Sequence, residues 1–563
     1  MTEHDLVVRG ALVVDGTGAP GFTADVAVDS DRITSVGPSA GKGRRELDGD
    51  GLVCTPGFVD VHTHYDGQAM WDPELTPSSW HGVTTVVTGN CGVGFAPVRP
   101  GGEQFLIELM EGVEDIPGTA LHEGLDWSWE SFPEFLDALD RQARTVDLAA
   151  LVPHAALRAY VLGERAHEDA TLEEAAEMAR LTGEALAAGA VGFSTSRTMV
   201  HRSKHGPVPG TKAPAEELLV IAEAMVAAGH GVFQLISDGI GLPDERAWVV
   251  EVARMTGGTV TYSMAQTPND RDGFRTLLAD AEALAAEGLH LVPQVPTRPT
   301  GMLFGLESSL HPFITHPTYR SLAALPLDQR VRQLRDPEVR AALLAEQPST
   351  GNPLAKFLMS RYEQIFPLGD PPDYEPPPEA SVAAEAERSG RTCDEIALDW
   401  LLENDGRALL FAPLSSYVDG DHEAIREMMV HSRSILGLGD GGAHCGLICD
   451  ASMTTTVLTH WVRDRTRGER LPLEQAIELL ARPAAAYGFN DRGTIAPGKR
   501  ADLNLIDMEG LRLHPPTMAY DLPAGGRRLV QRADGYVATI AGGQVTFEHG
   551  EPTGARPGRL VRF

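Results

Sequence analysis

The sequence predicts an α/β protein built on a TIM-like (β/α)8 barrel, and three features support this fold class. Short β-branched runs alternate with helical patterns from residue 57 to about residue 495, as expected of parallel strands covered by helices. There are eight such runs, enough to close a barrel. The chain has 563 residues, more than a single small core requires. The predicted strands are 57–62, 83–89, 148–153, 189–195, 231–237, 258–264, 289–295 and 434–439.

Both ends of the chain have a different pattern, with short strands joined by tight turns. Runs 6–8 and 11–14 are separated by Arg9-Gly10, and later pairs flank residues 29–32 and 541–543. These are hairpin signals. We therefore predict one small β-domain formed by residues 1–56 and 496–563, with the barrel domain, 57–495, inserted between them.

The connection between the seventh and eighth strands is abnormally long, and we treat residues 300–430 as an insertion. It contains helical patterns and the proline-rich stretch 367–378. On the catalytic side of a barrel such an insertion is typical of a lid or a substrate-selecting subdomain. An oligomerisation element is an equally good interpretation.

Composition narrows the classes of function. The formal net charge of −32 and the pI near 4.9 argue against nucleic acid and anionic membranes as partners. The sequence shows neither a signal-peptide pattern nor an apolar run of membrane-spanning length. The five cysteines are scattered and odd in number, which predicts a reducing cytoplasm.

The clearest chemical signal is the run GFVDVHTH at residues 57–64. The spacing of His62 and His64 places both imidazoles on one face of a strand, at its carboxyl end. In a parallel barrel this end carries the chemistry. Two converging imidazoles suit a divalent metal, zinc above all. The alternative is a pair of exposed or hydrogen-bonded histidines.

Two further side chains follow other strands. Cys91, in a Gly-Asn-Cys-Gly turn after the second strand, could be a thiolate ligand, although a lone cysteine is more often a small buried residue. Asp440, after the eighth strand, could bind metal and accept a proton from water, or it could form an Asx turn. Because His62, His64, Cys91 and Asp440 occupy three strand ends, together they favour a metal site.

Several motifs together resemble the amidohydrolase superfamily, and within it the N-acyl-D-amino-acid deacylase (D-aminoacylase) branch. They are PGFVDVHTHYD from residue 56, GNCG from 89, MEGVEDIP from 110, the Gly-Asp-Gly at 439–441 and the tail DRGTIAPGKRADL from 491. The resemblance implies a β-sandwich made by both termini and a metal-bearing barrel with one or two ions, most often zinc. It also implies that His62 and His64 are metal ligands, that Cys91 takes the place of a bridging carboxylated lysine, and that Asp440 is ligand and general acid/base.

The sequence departs from that family at two strands. The family has one histidine on strand five and one on strand six, whereas neither 231–238 nor 260–266 contains any histidine here. His230 lies at the N-terminal end of strand five, opposite to the end that carries the chemistry. Either the metal occupies only the strand-one site, or another histidine contributes.

We predict a metal-dependent hydrolase of C–N amide bonds that deacylates an N-acyl amino acid or a small peptide. The alternatives are a hydrolase of another, cyclic amide with a mononuclear site, or a non-catalytic binding protein of the same fold. We expect a small-molecule amide substrate, no nucleic-acid or membrane partner, and a homo-oligomer. The candidate substrate-binding residues, which follow strands three, four and eight, are His154, Arg158, Arg197, His201 and His444.

Overall fold

A computed structural model describes residues 3–349 and 353–563. Eight parallel strands pair in chain order in one sheet, each within a few residues of its predicted position. The predicted fold class is confirmed. Barrel strands 1 to 8 are Phe58–Asp60, Val83–Thr88, Asp147–Pro153, Gly192–Arg197, Val232–Ser237, Thr259–Ser263, His290–Val295 and Ile435–Leu436.

The sheet closes between the segments that follow its first and last strands. The amide of His64 donates to the carbonyl of Gly441 at 2.7 Å, and the amide of Asp440 donates to the carbonyl of His62 at 3.0 Å. A parallel bridge joins Thr63 and Gly441. These backbone bonds hold the histidine motif beside the Gly-Asp-Gly turn.

Helices cover the outside of the barrel and share one large hydrophobic core with it. None of the helices in the described residues is both long enough and apolar enough to cross a membrane. The helices around the barrel are Glu103–Glu114, Gly118–Gly124, Phe132–Asp140, His154–Leu162, Leu172–Ala187, Ala215–Ala228, Pro243–Thr256, Gly273–Ala286, Glu423–Val430, Met453–Thr456, the π-helical Val457–Asp464 and Leu473–Ala486.

Strands from both ends of the chain pair in one nine-stranded sheet with its own core. Its strands are Glu3–Val13, Phe22–Asp29, Arg32–Gly37, Lys42–Asp48, Val53–Pro56, Leu503–Ile506, Tyr536–Ala541, Gln544–Glu548 and Glu551–Pro552. The hairpins at 29–32 and 541–544 form as expected. The hairpin expected at Arg9-Gly10 is wrong, because Glu3–Val13 is a single strand that bulges there, with Gly10 at φ +61°. A glycine at positive φ is as typical of a bulge as of a turn.

Other short strands pair outside the two main sheets. They are Arg202–Ser203 with Gly206–Pro207, Arg512–Leu513 with Ala533–Asp534, and Thr517–Leu522 with Gly526–Val530.

The insertion has a hydrophobic core of its own, which runs from Met302 to Ala412. It contains three antiparallel strands, Gly301–Phe304, Phe366–Pro367 and Leu410–Pro413, and the helices Pro317–Leu322, Leu327–Arg335, Pro337–Ala345, Pro353–Met359, Val382–Ser389, Cys393–Leu401 and Glu403–Gly406. The helix Glu423–Val430 packs instead with the barrel core. The domain limits, and the role of 300–430 as a lid, stay predictions.

Candidate metal centre and active site

The two histidines of the first strand end are buried and point into the barrel mouth. The Nδ1 atom of His62 lies 2.7 Å from Oε1 of Gln294, on strand 7. Because that amide oxygen only accepts, Nδ1 carries the hydrogen and Nε2 keeps its lone pair for the site. The Nε2 atom of Gln294 donates in turn to the hydroxyl of Tyr487 at 2.8 Å, so both polar atoms of this amide are bonded. Such outer partners are usual for metal-binding histidines.

The turn after strand 2 places a thiol beside His62. Sγ of Cys91 is 3.2 Å from Nε2 of His62. Cys91 has φ +56°, a left-handed conformation that is uncommon for a residue with a side chain. The flanking glycines leave the space this turn needs, because a Cβ on Gly89 would lie 2.3 Å from a carbonyl oxygen of strand 3. Backbone strain of this kind tends to occur at functional sites.

Asp440 completes the group from the opposite side of the barrel seam. Its Oδ1 atom is 3.4 Å from Nε2 of His62 and 3.8 Å from Nε2 of His64. The aspartate also has a positive φ, +44°. Its side chain is 15% exposed, whereas the two histidine side chains are almost fully buried. The carboxylate can therefore be reached by water and substrate.

The spacing of these donor atoms fits a zinc ion. Zinc bonds of about 2.0–2.3 Å place neighbouring tetrahedral ligands about 3.3–3.8 Å apart. Donor atoms of His62, His64 and Cys91 lie within 4.8 Å of one another, and Nε2 of His62 is 3.2 Å from Sγ of Cys91 and 3.4 Å from Oδ1 of Asp440. Burial, together with nearby carboxylates, raises the pKa of the Cys91 thiol well above its usual range. A bound dication would reverse this, because a coordinating thiol loses its proton.

A buried carboxylate that the sequence analysis did not identify lies behind this group. Oε1 of Glu114 is 3.5 Å from Nδ1 of His64, and its Oε2 is 3.7 Å from Nε2 of His444. Its backbone carbonyl accepts the amide hydrogen of His444. Desolvation, then the charges of Asp440 and Asp66, raises the pKa of Glu114 well above its usual range. The available signal was its place in the MEGVEDIP motif, since it ends a helix and follows no strand.

Gln234, on strand 5, contacts the turn that carries Cys91. Oε1 of Gln234 accepts the amide hydrogen of Cys91 at 3.0 Å, while its buried Nε2 has no partner. On strand 6 the hydroxyl of Ser263 is likewise buried without a partner. His230 stacks against Phe563, away from the group, so it does not replace the missing histidines.

Two of the five candidate substrate-binding residues lie beside the proposed metal ligands. Nδ1 of His201 is 3.1 Å from the hydroxyl of Ser196. Burial, and the neighbouring rings of His444 and His62, lower the pKa of His201 to about 3. His444 has a positive φ of +51° and 21% of its side chain is exposed.

The other three candidates are committed to other protein groups. His154 is fully buried, with Nδ1 2.9 Å from the hydroxyl of Thr195 and Nε2 2.8 Å from Glu217. The guanidinium of Arg158 pairs with the same glutamate and with two backbone carbonyls. Glu217 is ionised, since these partners outweigh desolvation and hold its pKa near 2. His154 and Arg158 both bond the buried glutamate, and their role in substrate binding stays a prediction.

Arg197 is likewise bonded to other protein groups, and its role in substrate binding stays a prediction. Its Nε and Nη2 atoms donate to Glu245 at 2.5 and 3.0 Å, and Nη1 donates to the carbonyl of Ala213 at 2.7 Å. The guanidinium also lies over the ring of Trp248. All three nitrogens are used within the protein, so Arg197 joins the end of strand 4 to the helix Pro243–Thr256 that follows strand 5.

Comparison with known proteins identifies the class. The protein-family model described as "Amidohydrolase family" matches residues 45–547, which is most of the chain. The protein belongs to this family. It is therefore a metal-dependent hydrolase of carbon–nitrogen bonds, as the motifs predicted, and not a binding protein without catalysis.

Individual relatives narrow the resemblance. The chain is 26% identical over 570 residues to the N-acyl-D-glutamate deacylase of Alcaligenes xylosoxydans xylosoxydans, covering 99% of this chain and 96% of that one. It is 35% identical to the D-aminoacylase of the same organism over 226 residues, 40% of this chain and 43% of that one.

Solved structures share the fold. A crystal structure of D-aminoacylase superposes with a TM-score of 0.66 at 24% identity, covering all of both chains. The N-acyl-D-glutamate deacylase from Bordetella bronchiseptica, complexed with zinc and a phosphonate inhibitor, gives a TM-score of 0.65 at 24% identity, again over all of both chains.

Proposed function

We propose that this protein deacylates N-acyl-D-amino acids with one divalent metal ion, zinc, held by His62, His64, Cys91 and Asp440. The observation that carries the proposal is that donor atoms of His62, His64 and Cys91 lie within 4.8 Å of one another, with the carboxylate of Asp440 3.4 and 3.8 Å from the two imidazoles. The substrate class is supported by the N-acyl-D-glutamate deacylase of Alcaligenes, whose name gives an N-acyl-D-amino acid as its substrate.

When bound, a zinc ion supplies an activated water near neutral pH and polarises the scissile carbonyl. The residues of the chain provide the rest. Asp440 is positioned to accept the proton of the attacking water and to return it to the leaving nitrogen. Its partial exposure allows this, because the proton must pass between a buried centre and a bound substrate.

A single ion is favoured by the side chains on strands 5 and 6. A second ion would need donors there, and the chain offers the amide of Gln234 and the hydroxyl of Ser263 in place of imidazoles. Neutral amide and hydroxyl oxygens are weaker zinc ligands than imidazole nitrogen, and the oxygen of Gln234 already accepts one hydrogen bond, from Cys91. The unpartnered amide hydrogens of Gln234 instead provide donors at the centre of the barrel mouth.

His201 and His444 flank the group from the segments that follow strands 4 and 8. Their rings can orient an acylated amino acid across the mouth. Glu114 lies behind both His64 and His444, at 3.5 and 3.7 Å from their ring nitrogens, so it borders a proposed metal ligand and a proposed substrate-facing ring.

The test is hydrolysis of paired N-acyl-D- and N-acyl-L-amino acids by metal-depleted protein, with zinc restored in steps. We expect turnover of the D-series to rise with added zinc and to reach its maximum when about one zinc ion is bound per active site. Turnover confined to the L-series, or to cyclic amides, would contradict the substrate assignment. A rise that saturates only after a second active-site equivalent would contradict the mononuclear site.

Location and assembly are also proposals. Action in the cytoplasm is supported by the five cysteines, all of which are unpaired. We propose a homodimer by analogy with large barrel hydrolases, and a monomeric mass by light scattering at micromolar concentration would contradict it.

A further inference from the structure

A second group of metal-binding side chains lies where the insertion meets the barrel. Glu375, His422 and His460 each offer one donor atom, and these atoms lie within 4.8 Å of one another. Glu375 belongs to the insertion, His422 precedes the helix Glu423–Val430, and His460 lies in Val457–Asp464. From this geometry we propose that the three residues bind a zinc ion that joins the insertion to the barrel. The group shares no residue with the active site.

The orientation of His422 leaves one ring nitrogen free for a cation. Its Nε2 atom lies 2.8 Å from the backbone carbonyl of Tyr374, which can only accept, so Nε2 carries the hydrogen. The Nδ1 atom is buried, has no hydrogen-bond partner and faces Oε2 of Glu375 at 3.8 Å. A second ring nitrogen bonded to a backbone carbonyl is the usual arrangement of a metal-binding histidine. An unpartnered buried nitrogen would otherwise be destabilising.

His460 contributes from a helix of irregular geometry. Its Nε2 atom is 3.0 Å from Oε2 of Glu375, but it too lacks a well-aligned hydrogen bond. The helix Val457–Asp464 is π-helical, and such widened turns are frequent at functional sites. The side chain of His460 is 21% exposed, so an ion and a fourth ligand, water, can enter from this side.

The positive charge of Arg465 lies beside Glu375 and opposes the binding of a cation, but this charge is shared with a second carboxylate. Its guanidinium donates to both oxygens of Glu375 at 3.0 and 3.1 Å, which keeps the carboxylate ionised. It also donates to Glu423 at 2.8 Å, so its charge is shared between two carboxylates. Each oxygen of Glu375 has two lone pairs, and Oε2 retains one directed toward the histidines. Two imidazoles and one carboxylate select zinc over magnesium or calcium.

The centre of the proline-rich stretch 367–378 is buried at this site. Here Tyr374, Glu375 and Pro376 are buried, because the glutamate is bonded to Arg465 and to the amide of His422. A zinc ion at this position would hold the same segment more firmly.

The first test compares His460→Gln with His431→Gln in the full-length protein. His431 has the same side-chain exposure, 21%, and faces a single carboxylate, Glu282, at 3.7 Å. After dialysis of metal-free protein against buffered free zinc, we expect His460→Gln to bind one zinc fewer per chain than wild type and His431→Gln to match wild type. Equal zinc content in wild type and His460→Gln would overturn the proposal.

The second test uses the unaltered protein, so it does not depend on how a variant folds. Diethyl pyrocarbonate modifies accessible imidazoles, and mass spectrometry reports the extent at each histidine. We expect zinc to reduce the modification rate of His460 at least tenfold while the rate at His431 stays within twofold. Similar rates at His460 with and without zinc would contradict zinc binding there.

Discussion

Replacing Asp440 with asparagine separates its catalytic role from a structural one. Asparagine keeps the shape of the side chain and tolerates the left-handed backbone, here φ +44°. The folded structure should therefore persist. The amide cannot take a proton from water, so we expect turnover to fall about 10²–10⁴-fold, a barrier increase of about 2.7–5.4 kcal/mol.

The companion variant is His62→Asn. His62 approaches both Cys91 and Asp440, at 3.2 and 3.4 Å, so its loss removes the ligand nearest to the other donors. We expect weaker zinc binding, with turnover partly restored by excess zinc. Asp440→Asn should remain slow when zinc is saturating.

The assay measures turnover of an N-acyl-D-amino acid, bound zinc and melting temperature on wild type and both variants. An Asp440→Asn protein that turns over within about threefold of wild type at equal zinc content would refute the acid–base assignment, because the smallest expected effect is about a hundredfold. A lower melting temperature with near-normal turnover would instead indicate a residue that only shapes the turn.

The remaining predictions concern Glu114, which lies behind the proposed ligands, and Arg158, which pairs with Glu217. Glu114→Gln should weaken zinc binding about 10–100-fold, measured by chelator competition, because it replaces the carboxyl group that lies 3.5 Å from Nδ1 of His64 with an amide. Glu111→Gln, an exposed change on the same helix, should bind zinc like wild type. Equal affinities for the two variants would contradict a positioning role for Glu114. Arg158→Gln should lower the free energy of unfolding by about 3–5 kcal/mol in denaturant titrations, since it leaves Glu217 buried with an incomplete set of partners. KM for the substrate should stay the same in folded Arg158→Gln. A large rise in KM would indicate that Arg158 binds substrate.

Local sequence pattern was sufficient for the barrel and for the proposed ligands. Each barrel strand is a short apolar run, and the polar residue that ends it must lie at the shared edge of the sheet. His62, Cys91 and Asp440 could therefore be brought together before any coordinates were considered. His154 also follows a strand, but it begins a helix and is buried against Glu217.

What the sequence did not reveal depends on contacts between distant segments. Glu114 ends a helix and meets His444 only because the loop after strand 8 folds over it. Gln294 lies within a predicted strand, but its bond to His62 spans 232 residues of sequence. The group of Glu375, His422 and His460 joins three segments, none of which has metal-ligand spacing on its own.

The central claim is that Cys91 binds the metal ion that carries out hydrolysis, and cobalt substitution tests it most directly. A cobalt–thiolate bond gives a charge-transfer absorption in the near ultraviolet, and the group of Glu375, His422 and His460 contains no sulfur that could mimic it. We predict that cobalt restores both this absorption and turnover to metal-free wild type, and that Cys91→Ser loses the absorption and most of the turnover together. Active cobalt-loaded wild type without the absorption, or a Cys91→Ser protein that keeps it, would contradict the account.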